Sequence, residues 1–177
     1  ESLLMASLFY EALFVLISGE REQSKFRLKG VFTCLLNNFT KKMGGGLNAE
    51  SLFRGNENVL ILGKIGILGL LLENLVVNAT RWANKKNPQI GLKVSHCGGF
   101  VVISIANNGQ SLGNDNLWKR PRLGATGGKG GYGVGLTLIK HLARHLRADL
   151  RMRRLDPEGI EGTEGTKVIV RIPYVKE

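Results

Sequence analysis

The stretch QIGLKVSHCGGFVVISIA (89–106) does most to limit what this chain can fold into. Its two halves, 89–96 and 100–106, are rich in β-branched residues and alternate in polarity, which is the period of a strand. Cys97-Gly98-Gly99 is a short, glycine-bearing connection between them, so the stretch predicts an antiparallel hairpin. ADLRMRRL (148–155) and TKVIVRIP (166–173) predict two further strands, the last ended by Pro173. A sheet of this kind needs an apolar cover on at least one face. KIGILGLLLENLVVNATRWA (64–83) provides one, since Ile65, Leu68, Leu72, Leu75, Val76 and Ala79 share a broad apolar helical face. A second helix follows the glycines of 127–135. Helices, hairpin, loop, helix and second hairpin together predict an α+β fold. It is a two-layer sandwich with helices packed on one face of a mixed, largely antiparallel sheet, preceded by an N-terminal helix.

With 177 residues, 43% of them hydrophobic and 22% charged, the chain can form one globular domain with a short appendage. The appendage is SLLMASLFYEALFVLIS (2–18), apolar nearly all round, as in a helix buried against a partner helix. Glu11 interrupts it, and it is about a turn short of a bilayer span, so a packing helix fits better than a membrane anchor. GEREQSK (19–25) is a polar break. FRLKGVFTCLLNNFTKKM (26–43) has helical spacing at Val31, Leu35, Leu36 and Phe39 after a short strand at Phe26–Leu28, and 44–60 is turn-rich with short strands. The first residue is Glu1 and no signal-peptide pattern follows, which reads as a piece of a longer chain. Cys34 and Cys97 lack metal-ligand spacing and read as ordinary thiols of a reducing compartment.

The net charge of +11 invites a nucleic-acid partner. Much of it lies in KHLARHLRADLRMRR (140–154), where six Lys/Arg face one acid, Asp149. A solvated basic surface, or a docking site for an acidic protein, accounts for the same charge at least as well. His141 and His145 stand at i, i+4, a spacing that can hold zinc. The glutamate of H-E-x-x-H and a third ligand are missing, so they read as solvent-facing side chains.

The run GGKGGYGVGLTLIKHLARHL (127–146) leads glycines into a helix, an arrangement that offers backbone N–H groups to an anion. A Walker loop is excluded because Lys129 is followed by Gly130 rather than Ser or Thr. A Rossmann turn is excluded because Gly131, Gly133 and Gly135 alternate and no strand precedes them. A protein-kinase glycine loop is excluded by its late position without downstream Asp motifs. Two other stretches add to the signal. In LLENLVVNATRWA (71–83), Asn74, Asn78 and Arg81 fall at i, i+4 and i+7 on one stripe. Carboxamide oxygens can ligate a hard cation such as magnesium and a guanidinium can contact phosphate, although a plain polar helix stripe is the alternative. In IANNGQSL (105–112), a side chain at a strand end can read a base edge while glycine admits the ligand. An ordinary Asn-Gly turn is the alternative there.

In this order the three stretches resemble the N, G1 and G2 boxes of the Bergerat-fold ATPases. GYGVGLTLIKHLARHL together with GTKVIVRIP looks most like the catalytic ATP-binding domain of sensor histidine kinases. The resemblance covers residues 26–177 and implies Mg-ATP as cofactor. It implies that Asn78 ligates Mg²⁺ with help from Asn74, that Arg81 contacts phosphate and that Trp82 lies near the nucleotide. It gives Asn107, where the family most often has Asp, a hydrogen bond from the adenine amino group, and makes Gly109 the shaper of that turn. Gly131, Gly133 and Gly135 would wrap the phosphates, Leu136 would start the helix behind them, and Thr166 would support the adenine end. Residues 113–130 would be a mobile lid. Glu73 is a candidate to orient the attacking group or accept its proton, or else a salt-bridge partner.

The activity so implied is transfer of the γ-phosphate to a histidine, then relay to an aspartate of a response regulator. Residues 1–25 would be the end of a dimerisation-type helix and linker, and 26–177 the catalytic domain. His96, His141 and His145 all fall inside that domain, so the acceptor histidine would either lie upstream of Glu1, as the truncated-looking start favours, or never have been part of this protein. The implied partners are a response regulator and histidine-bearing dimerisation helices, with a homodimer in the full-length protein, no nucleic acid and no membrane contact by this fragment. The implied location is cytoplasmic, alone or as the soluble part of a membrane-bound sensor. The alternative is a non-catalytic nucleotide-binding module in which ATP orders the lid and exposes or hides a partner surface.

Overall fold

A computed structural model describes residues 24–27, 51–53, 60–63, 65–109, 134–160 and 163–174. The helices expected at 2–18 and within 28–43, and the lid at 113–130, lie outside the described residues. The elements are β1 (Ser24–Arg27), β2 (Ser51–Phe53), β3 (Leu60–Gly63), α1 (Ile65–Trp82), β4 (Ile90–Cys97), β5 (Phe100–Asn108), α2 (Val134–His145), β6 (Asp149–Ile160) and β7 (Thr163–Pro173). The main sheet has five strands in the order β2-β4-β5-β7-β6. β2 runs parallel to β4 and the other neighbours are antiparallel, so the sheet is mixed and largely antiparallel. β1 and β3 form a separate antiparallel pair.

Period-two alternation decides which side of the sheet is covered. Ile90, Leu92 and Val94 pair with Asn107, Ile105 and Ile103, which in turn lie opposite Thr166, Val168 and Val170. All the apolar members of these rows face the helices and belong to, or pack against, one core. α1 adds Ile67, Leu68, Leu71, Leu72 and Leu75, each 2% exposed or less, and α2 adds Ile139 and Leu142, both fully buried. Each such side chain contributes roughly 1.5–3 kcal/mol on burial, which holds both helices on one face and makes the α+β two-layer sandwich.

The ends of the elements have local causes. α1 closes with the bond from Ala83 N–H to the Ala79 carbonyl, after which Asn84 N–H turns to the Asn108 carbonyl at 2.7 Å. The Asn84 side chain then accepts from Lys86 N–H at 2.9 Å, and Pro88 prevents the helix from resuming. α2 ends with Ala148 N–H on the Ala143 carbonyl and Arg147 N–H on that of Arg144, a Schellman closure. Arg147 fills its left-handed position at φ 52°, where glycine is usual. The β4–β5 hairpin turns on Gly98 and Gly99 at φ 56° and 83°, the two positive values a type I′ turn requires.

The second hairpin is longer than the sequence suggests. β6 continues through Pro157 to Ile160, with a register shift between Leu155 and Ile160 that lets a proline lie within the strand. Among the described residues no helix is long and apolar enough to cross a membrane.

Candidate functional site

The polar residues on the helix-facing side gather where the ends of β5 and β7 meet α1. Asn107 and Thr166 are direct cross-strand partners on that side. Both are buried, at 4% and 5% exposure, against a largely apolar core. The Asn107 Nδ2 donates to the Asn108 carbonyl at 3.4 Å, a long bond, and the Oδ1 end of the same amide points away from that carbonyl. From α1, Asn74 and Asn78 follow the expected stripe. Asn74 is 2% exposed, and its Nδ2 donates to the Leu70 carbonyl one turn back at 2.8 Å, which fixes the rotamer of its carboxamide. Asn78 is half-buried.

The start of α2 closes the site from the other side. A Cβ at Gly135 would lie 3.4 Å from both the Nδ2 and Oδ1 of Asn78, so the glycine brings the α2 backbone alongside that carboxamide. α2 begins at Val134, two residues before Leu136, whose half-buried side chain packs on the core. Gly131 and Gly133 lie outside the described residues. Glu73, Arg81 and Trp82 are half-buried on α1. Glu73 and Arg81 each make a polar interaction of their own.

Two glycines weld these elements together. Gly109 has φ 138°, and a Cβ there would collide with the carbonyl of Trp82 and the backbone of Ala83 and Asn84. Its N–H donates to the Glu164 carbonyl at 2.8 Å. Gly165 lets β7 approach β5 so closely that a Cβ would collide with the Asn107 carbonyl.

Asn108 is the residue that sequence reasoning missed. Strand alternation turns its side chain to the opposite face from Asn107, where it holds the loop between α1 and β4. Its Oδ1 accepts from Gln89 N–H at 2.7 Å and Asn84 N–H at 3.4 Å, and its Nδ2 donates to the Asn87 carbonyl at 2.7 Å. Adjacent asparagines thus divide the work: one faces the site and its neighbour ties the frame. The available signal was the strand period itself, which forbids 107 and 108 from sharing a face.

The other residues singled out earlier are elsewhere. His141 and His145 are exposed on α2, with ring centroids 5.4 Å apart. No group of three His, Cys, Asp or Glu able to hold a metal occurs among the described residues. Cys97 is an exposed free thiol at the hairpin, and Cys34 lies outside the described residues.

The family model for "Histidine kinase-, DNA gyrase B-, and HSP90-like ATPase" matches residues 63–176. The chain belongs to this ATPase family. Among solved structures, the mycobacterial sensor histidine kinase MprB is similar with a TM-score of 0.68 and 17% identity over 88% of this chain and 100% of that one. The catalytic domain of the histidine kinase ThkA gives 0.68 and 21%, over 86% and 95%. Full-length ShkA in complex with AMPPNP gives 0.69 and 19%, over 98% of this chain and 36% of that one. At these identities the likeness is one of fold, and the fold is that of sensor histidine kinase catalytic domains. A comparison with curated proteins returned no match. Asn74, Asn78, Asn107 and Gly135 all lie on the helix-facing side of the sheet.

Proposed function

We propose that this domain binds Mg-ATP between α1, α2 and the ends of β5 and β7, and passes the γ-phosphate to a histidine. The observation that carries this reading is the contact of Gly135 with Asn78, which joins the helix after the glycine run to the asparagine stripe. The buried pair Asn107 and Thr166 on the neighbouring strands supports it, as does the AMPPNP complex of the similar ShkA.

In this reading Asn107 accepts from the adenine amino group and Thr166 supports the same end, while Gly109 shapes the turn after Asn107 by letting the backbone of Trp82 to Asn84 close against it. Gly131, Gly133 and Gly135 surround the phosphates, Leu136 anchors the helix behind them and Trp82 lies beside the nucleotide. Arg81 neutralises phosphate charge, and Glu73 orients the attacking group or takes its proton. The donor chemistry fits Mg²⁺: Asn78 offers a half-buried carboxamide oxygen, with Asn74 beside it, and this ion keeps waters and substrate phosphates as its other ligands. When bound, Mg²⁺ would neutralise charge developing on the phosphates.

The wider assignment follows from the same reading. Residues 1–25 are the end of a dimerisation-type helix and linker, and 26–177 the catalytic domain of a cytoplasmic, homodimeric kinase. Its partners are histidine-bearing helices and a response regulator.

Titration calorimetry of Mg-ATP into the protein and into Asn78→Ala tests the reading. Binding is expected, with a loss of about thirtyfold or more in the variant, on the order of 2 kcal/mol. Absence of binding by the folded parent protein would refute it. Binding without phosphate transfer to a supplied histidine-bearing hairpin would leave the non-catalytic nucleotide module in its place.

A further inference from the structure

The outer face of the sheet, opposite the helices, has a chemistry unrelated to the site. The register brings Lys93, Ser104, Ile169 and Arg151 into one cross-strand row, and Ala106, Lys167 and Arg153 into the next. A third row joins Ser95, Val102, Arg171 and Asp149. Five cations therefore share this face, and Asp149 is the one carboxylate among its described residues.

That carboxylate is already engaged. Asp149 accepts from Arg151 Nε at 3.0 Å and lies opposite Arg171, whose guanidinium rests over the Phe100 ring at 4.6 Å. Positive charge is therefore partly offset toward the hairpin end of the face. Toward the other end it is not: Lys167 and Arg153 are direct cross-strand partners, and like charges directly opposite destabilise a sheet. Lys93 and Arg153 are exposed, and Lys167 is half-buried. Ser104 and Ala106, small residues between them, are only 9% and 7% exposed. No described element lies over this face. Long basic stems can cover small neighbours of this kind while their charged ends stay in solvent.

We propose that the outer sheet face, centred on Lys93, Arg153 and Lys167, docks an extended acidic segment of a partner protein. Alternate side chains of an extended segment repeat every ~6.8 Å, the same repeat that separates Arg151 from Arg153 along β6. Guanidinium forks match carboxylates in two-point geometry, as Asp149 with Arg151 already does in one-point form. A partner's carboxylates would relieve the Lys167–Arg153 repulsion that the described residues leave in place. Single-stranded nucleic acid is disfavoured because Phe100, the one described aromatic of this face, is covered by Arg171 and offers no stacking platform. A lipid surface is disfavoured because the apolar side chains of this face, Phe100, Val102, Leu155 and Ile169, are all half-buried and none is exposed. This inference stands independently of the nucleotide reading.

The test uses fluorescence anisotropy with a labelled peptide of alternating glutamate and serine, at low and at physiological salt. Lys93→Glu and Arg153→Glu are expected to weaken binding about fivefold or more each, while Arg144→Glu on α2, the same change in charge, costs less than about twofold. Circular dichroism confirms that each variant is folded. No binding at low salt, or equal losses in all three variants, would overturn the proposal. Tighter binding of duplex DNA or phosphatidylglycerol vesicles through Lys93 and Arg153 would overturn the choice of partner.

Discussion

The two ends of the sheet use glycine for opposite purposes. At the hairpin end, Gly98 and Gly99 adopt positive φ with nothing within 4 Å of where a Cβ would stand. At the site end, Gly109 combines positive φ with the backbone of Trp82 to Asn84 packed against it, and Gly165 is pressed against the Asn107 carbonyl. Each end holds one buried polar atom without a hydrogen-bond partner among the described residues, His96 Nε2 at the hairpin end and Gln89 Oε1 at the site end, and the hairpin end also places Arg147 in a left-handed position. The site end has its backbone ends tied by Asn84, Gln89 and Asn108. Precision is concentrated where three elements must hold Asn107 in place, and slack is tolerated where only a chain reversal is needed.

The sharpest way to break this comparison is to add the same methyl group at both ends. Gly109→Ala is expected to destabilise by about 4 kcal/mol, because the Trp82 carbonyl cannot withdraw without moving α1. Gly98→Ala should cost about 1 kcal/mol, from its positive φ alone. Denaturant unfolding of the two variants measures the difference, and equal losses would erase the distinction. Next in size is the asparagine pair. Asn108→Ala removes three side-chain hydrogen bonds and should cost about 3 kcal/mol in stability, whereas Asn107→Ala should cost about 1 kcal/mol or less and abolish nucleotide binding. Stability and calorimetric titration on both variants separate the two roles.

The sequence shows some of this and hides the rest for physical reasons. Residues 89–106 announce their hairpin because alternation with β-branched side chains has no helical counterpart, and the apolar spacing of 68, 72, 75 and 79 announces the buried face of α1. The three-residue pairing of β2 with β4 leaves no periodic trace. The length of the second hairpin is hidden because Pro157 and the glycines around it mimic a loop, which a register shift absorbs. Asn108 is hidden because its partners are backbone groups 19 to 24 residues away, which no local pattern encodes. Gly165, within GTEGT, reads as a turn residue until the strand beside it is known.

Smaller effects sharpen the picture of the hairpin end. Arg147→Gly should raise stability by about 1 kcal/mol, because glycine fills the left-handed closure of α2 without strain, and thermal unfolding would register the gain. The smallest effect concerns Lys140. Burial first, and then Arg144, hold its pKa below the usual 10.5. The unfolded chain keeps that proton to higher pH, so stability rises with pH through the window between the lowered value and 10.5. Arg144→Gln should raise the Lys140 pKa and narrow that window, which an NMR titration of the Lys140 side chain would follow.

The pairing of β1 with β3 has a mechanical consequence. Ser24 stands opposite Gly63 and Arg27 opposite Leu60, so the end at which β1 begins is the end at which β3 runs into α1. Tension between Ser24 and α1 therefore loads a single rung at a time, and the ladder peels open like a zip instead of resisting in shear. A weak pull therefore suffices to detach β1, one rung after another, beginning at the rung next to the helix that bears Asn74 and Asn78.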